Sequence, residues 1–295
     1  MFLNWYTLSL IALFFLGTQR FLYKVSAQRG CNTAWTTFTF MGTVTLLSSI
    51  TFFVSYEPIS GMPFLVFISL VNSVSFTLGT LSHMEALKFL PASVAYPIIR
   101  LNAAVVVVFS VLFFRDRLSE YQIAGIFIAI AVISILARES NSQETPRRDI
   151  QRGFFLVAVC VLSGAVSSIS SKFAAMYTNK MAFIALSYFM GTLFSFAFRN
   201  GLGAETAGSR HTDAVIIGIA MGLLNFVGFY AFLSALAIGP LSIIVSIMGL
   251  HFVIPIILST IIYSEKLTPV RIFGVLLTIV SVIFLRYGEL GTLVK

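Results

Sequence analysis

The chain is 295 residues long, 58% hydrophobic and only 10% charged, with a mean hydropathy of +0.97. A soluble domain is about a quarter charged and about half apolar or less, so this composition excludes a water-soluble globular enzyme, and it equally excludes a disordered chain. The formal charge of +8 is scattered through short polar breaks, which suits membrane orientation and lipid contact rather than a nucleic-acid surface.

At roughly 20 residues per crossing, the length accommodates about ten spans. In chain order the apolar stretches are Leu3–Lys24, Thr33–Ser55, Pro63–Ser82, Ala92–Phe114 and Glu120–Ala137, then Gly153–Met176, Met181–Phe198, Ala214–Ser234, Ser242–Tyr263 and Pro269–Leu285. They are continuously apolar, without the alternation of a lipid-facing strand, so helices are expected and not a barrel. The first stretch lacks a basic start and a small-residue cleavage site, so it reads as a span and not as a signal peptide. Cys31 and Cys160 have no metal-ligand spacing and read as small buried hydrophobes. No metal or other cofactor is implied.

The polar run RESNSQETPRRDIQR, Arg138–Arg152, divides the chain nearly in half. The expected organisation is a first five-helix unit over 1–138, a linker over 139–152 and a second unit over 153–295. A second break, Arg199–Asp213, is rich in Gly and small polar residues and reads as a loop. The halves repeat. A shift of 149 places Phe40-Met41-Gly42-Thr43 on Phe189-Met190-Gly191-Thr192, Gly79 on Gly228, Pro91 on Pro240, Ser110 on Ser259 and Asp116 on Glu265. A shift of 148 places Lys24 on Lys172. A unit with five crossings ends on the opposite side from its start, so its successor enters upside down. The expected fold is therefore all-α and integral to the membrane, with ten transmembrane helices as two inverted five-helix repeats, an architecture associated with alternating access.

The segment Ala86–Leu136, with ALKFLPAS and LSEYQIAG at its two ends, and its copy Ala235–Leu285 resemble the drug/metabolite transporter superfamily, specifically ten-helix transporters with two EamA-type domains. The resemblance implies a central cavity lined mainly by the third, fourth, eighth and ninth helices. It also implies a secondary transporter of a small polar or amphipathic metabolite, such as an amino acid or organic acid, in a bacterial inner membrane. An intramembrane enzyme and a non-transporting subunit or lipid carrier are the alternatives. No GxSG-like, HExxH or paired-aspartate motif favours an enzyme. With no Walker loop, energy comes from a gradient, exchange or downhill flow, so a proton or a counter-substrate is the expected coupling partner.

A charge inside a span is costly and therefore a functional candidate. Arg20 and Lys24 share a face near the end of the first span and Lys172 lies at similar depth in the sixth. All three read as snorkelling anchors or, if inward, as basic rings at opposite mouths. Asn72 and Asn225, mid-span in the third and eighth helices, either meet substrate or tie helices together at about 1 kcal/mol. At the end of the third span, Glu85 beside His83 can pair with Arg100 or Lys88, or relay a proton; interface polarity is the simpler reading. Arg100 lies about 13 Å into the fourth span, where its fork of donors would hold a carboxylate or phosphate; an internal ion pair is the structural alternative. Tyr96 and Asn102 lie near it on the same helix. Asn102 is the register partner of His251, whose carbonyl Pro255 deprives of its helical donor. The serines of the sixth span, Ser163 to Ser171, read mainly as packing residues. Basic residues dominate the odd-numbered loops, which places both termini outside by the positive-inside rule. A monomer and a homodimer remain equally compatible with the sequence.

Overall fold

The computed structural model describes residues 4–55, 58–59, 61–90, 95, 98–99, 102–116, 118–138, 147–197, 211–263 and 268–290. Among these, every regular element is helical. Helix α1 (Trp5–Gln28) begins under Asn4, whose side chain accepts the Thr7 N–H at 2.8 Å, and the chain leaves it through Gly30 at φ +63°, a conformation that costs glycine little. Next come α2 (Thr33–Ser55) and α3 (Met62–Phe89), the latter with a proline in its first turn, where the missing N–H breaks no bond. Helix α4 (Asn102–Phe109) runs on as a π-helical turn, Ser110–Phe114, and is followed by α5 (Glu120–Arg138). The second half holds α6 (Arg147–Tyr177), α7 (Lys180–Ala197) and α8 (His211–Ile238). Then come α9 (Leu241–Tyr263), interrupted by a 3-10 turn at Leu250–Phe252, and α10 (Pro269–Leu290).

Seven of the described helices are long and apolar enough to cross a bilayer: α1, α2, α3, α6 over Gln151–Tyr177, α7, α8 and α9. Shorter apolar runs lie at Val105–Phe114 in α4 and Ile272–Ser281 in α10. Several helices outrun their apolar stretches. The third continues to Phe89, and the sixth starts at Arg147, so the last residues of the expected linker are helical. Beyond the lipid, polar side chains no longer oppose a helix that still satisfies its own backbone. The outer surface is apolar: Phe53, Val54 and Leu112 are 74%, 81% and 76% exposed. Buried hydroxyls instead bond inward to carbonyls one turn back, as Ser9 does to Trp5, Ser48 to Val44 and Ser75 to Val71. This is an integral membrane fold, all-α in its described parts.

Helix packing obeys an exchange rule. Under a two-fold relation a contact of helix i with helix j requires the reciprocal contact. The extensive α3–α6 interface has its counterpart in α1–α8, and α2–α8 has its counterpart in α3–α7. Three pairs are their own counterparts: α2–α7, α4–α9 and α5–α10. The repeated tetrapeptides meet at the first of these. A Cβ on Gly42 would stand 3.8 Å from the Thr192 methyl, and one on Gly191 would stand 2.7 Å from Met41 Sδ. The matched lysines follow the same rule. Lys24 Nζ lies 5.6 Å from the Tyr263 ring and Lys172 Nζ lies 6.0 Å from that of Phe114, and Tyr263 and Phe114 are register partners.

Candidate functional site

Between the halves lies a partly open cavity whose empty space, including that at its mouth, is about 850 Å³. The third, fourth, eighth and ninth helices contribute to its wall as expected, but α1 and α6 contribute as well. Leu16 and Arg20 of α1 lie on the wall, as does a polar stripe of α6 that includes Ser167, Ser168 and Ser171. These serines therefore line the space as well as pack. Their spacing of one turn, with a glycine and Cys160 above them, was visible as a small-residue face; which way the face points was not.

Of the residues expected at the site, Arg20, Asn102, Asn225 and His251 line this cavity together. Arg100 and Tyr96 lie outside the described residues. The Arg20 guanidinium sits 4.6 Å from the Tyr23 ring centroid, and Tyr23 meets the His83 ring edge-on at 5.3 Å, so Arg20, Tyr23 and His83 form one cluster at an end of the cavity. Neither Asn72 nor Glu85 lines it. The Asn72 amide donates to the Ser167 carbonyl at 3.0 Å and to the hydroxyls of Ser170 and Ser171 at 2.9 and 3.0 Å, tying α3 to α6. Glu85 is paired with Lys88 at 2.6 Å.

Asn225 is held from behind. Its carbonyl oxygen accepts the Tyr188 hydroxyl at 2.5 Å, and its amide donates to Gln19 at 3.1 Å. Gln19 in turn donates to the Tyr23 hydroxyl at 3.2 Å. This chain runs through α7, α8 and α1, and it fixes the side chain next to Arg20. Gln19 was its sequence signal, an amide in an apolar span. A Tyr188→Phe substitution removes the donor and leaves the Asn225 carbonyl short of a partner. A loss of about 1 kcal/mol follows, seen as a Tm lower by roughly 2–4 °C; an unchanged melting curve would show the bond to be idle.

Asn102 and His251, the register partners, each face a glycine on the first helix of the other half. A Cβ on Gly164 would come within 2.5 Å of the Asn102 amide nitrogen, and one on Gly17 within 2.9 Å of the His251 carbonyl oxygen. In the 3-10 turn the Val253 N–H points to the Leu250 and His251 carbonyls, and His251 Nδ1 bonds the Met248 carbonyl.

Each of the matched lysines bonds across helices at its own end of the bundle. Lys172 Nζ, buried, donates to the carbonyls of Leu236 and Gly239 at 2.7 and 2.9 Å, where α8 ends. Beside it, Asp116 accepts from the Ser242 N–H at 3.0 Å and hydroxyl at 2.7 Å, where α9 begins, and from Ser110 at 2.6 Å. Lys24 instead donates to Ser259, the counterpart of Ser110, at 3.0 Å.

A bundle of apolar-coated helices closing on a partly polar cavity from two matched halves defines a multi-pass integral membrane protein of the transporter class. The profile of the EamA-like transporter family matches residues 3–138 and again 151–287. The chain belongs to that family, within the drug/metabolite transporter superfamily, and carries two EamA regions. A solved crystal structure with 14% sequence identity shares the fold, with a TM-score of 0.75 over 95% of each chain. No curated protein sequence matches it.

Proposed function

We propose that the chain is a secondary transporter that moves a small polar or amphipathic metabolite, an organic acid or amino acid, by alternating access through the central cavity. In this reading ten helices cross a bacterial inner membrane as two inverted five-helix units, and the cycle exchanges the roles of the halves. The carrying observation is that the cavity wall is built from both halves, with Arg20 and Asn102 from one and Asn225 and His251 from the other. Arg100, by its depth in the fourth span, belongs with Arg20 as a second fixed cation of the site. A proton or a counter-substrate drives net movement.

Flux into proteoliposomes tests this reading. A panel of labelled organic acids and amino acids is expected to include at least one solute whose uptake requires the protein. An Arg20→Gln variant is expected to lose that uptake by about 30-fold, the worth of a charge-assisted bond of about 2 kcal/mol. If no solute crosses, or if the variant carries solute at the unaltered rate, the reading fails.

A further inference from the structure

The distribution of charge around the cavity narrows the substrate's chemistry. Six helices supply its wall, and over residues 5–28, 62–84, 102–114, 153–177, 214–238 and 241–263 the sequence contains no Asp or Glu. Among the described carboxylates on or beside these helices, Glu85 pairs with Lys88, Asp213 with Arg29, and Asp116 holds the start of α9. What the wall offers is the guanidinium of Arg20, the two imidazoles of His83 and His251, and uncharged hydroxyls and amides. A carboxylate entering this space finds donors, whereas an ammonium finds a like charge and no counter-ion.

The apolar part of the wall has its own position. Phe76 of α3 and Phe229 of α8 pack against each other on the cavity wall with ring centroids 6.2 Å apart, and Phe232 follows Phe229 at 6.1 Å. Phe76, Thr80 and His83 lie on one face of α3, and at 1.5 Å per residue the step from Phe76 to His83 spans about 10 Å of the cavity wall. A carboxylate joined to a ring by a short chain, with a hydrogen bond at one end and van der Waals contact at the other, fills that span.

We infer that the cavity selects an organic monoanion with a ring-bearing apolar body and no ammonium group, its carboxylate at Arg20 and His83 and its body against Phe76, Phe229 and Phe232. An α-amino acid of the same skeleton is disfavoured by its ammonium, and an amine is rejected. The inference rests on the carrier reading for its transport step, but its binding step stands apart.

Three compounds of one skeleton separate the alternatives: 3-phenylpropionate, phenylalanine and phenethylamine. In detergent-solubilised full-length protein, 3-phenylpropionate is expected to raise Tm and to bind at least tenfold more tightly than phenylalanine by calorimetry, with no binding of phenethylamine. Arg20→Gln is expected to weaken 3-phenylpropionate binding at least tenfold, while Arg20→Lys keeps the ranking. Equal or tighter binding of phenylalanine or of the amine overturns the inference, and so does binding of none of the three. Flux of the same compounds in proteoliposomes reads the carrier step separately. Binding in the expected order without flux defeats the transporter reading and leaves the selectivity standing, whereas flux of phenylalanine in preference to 3-phenylpropionate does the reverse.

Discussion

Gly218→Ala is expected to lower the Tm sharply and Gly218→Leu to abolish recovery of a monodisperse protein, although Gly218 does not line the cavity. A Cβ on Gly218 would lie 2.8 Å from the Thr36 carbonyl oxygen, 3.1 Å from the Phe40 nitrogen and 2.7 Å from Thr39 Cβ. One turn on, a Cβ on Gly222 would lie 2.5 Å from Thr43 Cβ and 3.0 Å from the Phe40 carbonyl oxygen. The pair forms the small-xxx-small face through which helices approach closely in a membrane, and the α2–α8 seam it closes joins one half to the other. Backbone atoms cannot rotate away as a side chain can, so the helices must separate. The alanine is expected to cost about 2 kcal/mol, within the usual range for overpacking, and the leucine more. Gly42→Ala is the internal control, since its Cβ would meet Thr192 at an ordinary 3.8 Å. Melting by size-exclusion recovery in detergent should separate the two glycines; equal tolerance would contradict the close seam.

Lys172→Met is expected to loosen one end of the bundle. It removes two donors from the carbonyls of Leu236 and Gly239, leaving the C-terminal end of α8 without the cation that holds it. Bonds to a charged group contribute about 1.5–3 kcal/mol each, offset by the desolvation of the buried ammonium, so a net loss of about 2 kcal/mol is expected. Hydrogen exchange in the segment spanning the α8–α9 turn should then quicken by about 30-fold. Asp116→Asn should add to this, because Asp116 holds the Ser242 N–H on the far side of the same turn. Exchange there at the original rate would mean that Lys172 is a passive anchor. If this end is one gate of the carrier, the variant will also favour the conformation in which it stands open.

Much of this protein is visible in its sequence because lipid leaves few alternatives. A backbone that cannot bond water must bond itself, so long apolar runs become helices wherever they occur. The duplication is equally plain, since glycines, prolines and charges in register at a shift of 149 do not arise from apolar composition alone. Gly218 and Gly222 are four apart in the sequence, a spacing that marks close helix contact before any fold is known.

What tertiary structure alone decided is the direction each polar residue faces. Asn72 and Asn225 are alike in type and one turn apart in repeat register, yet one is bound to serines of α6 and the other lines the cavity. Arg20 reads as a snorkelling anchor until Tyr23 and His83 are seen to enclose it. The physical reason is rotational. A helix with apolar residues on every side carries little amphipathic signal, because lipid and protein interior are equally apolar, so the face each helix turns inward is fixed only by contacts with its neighbours.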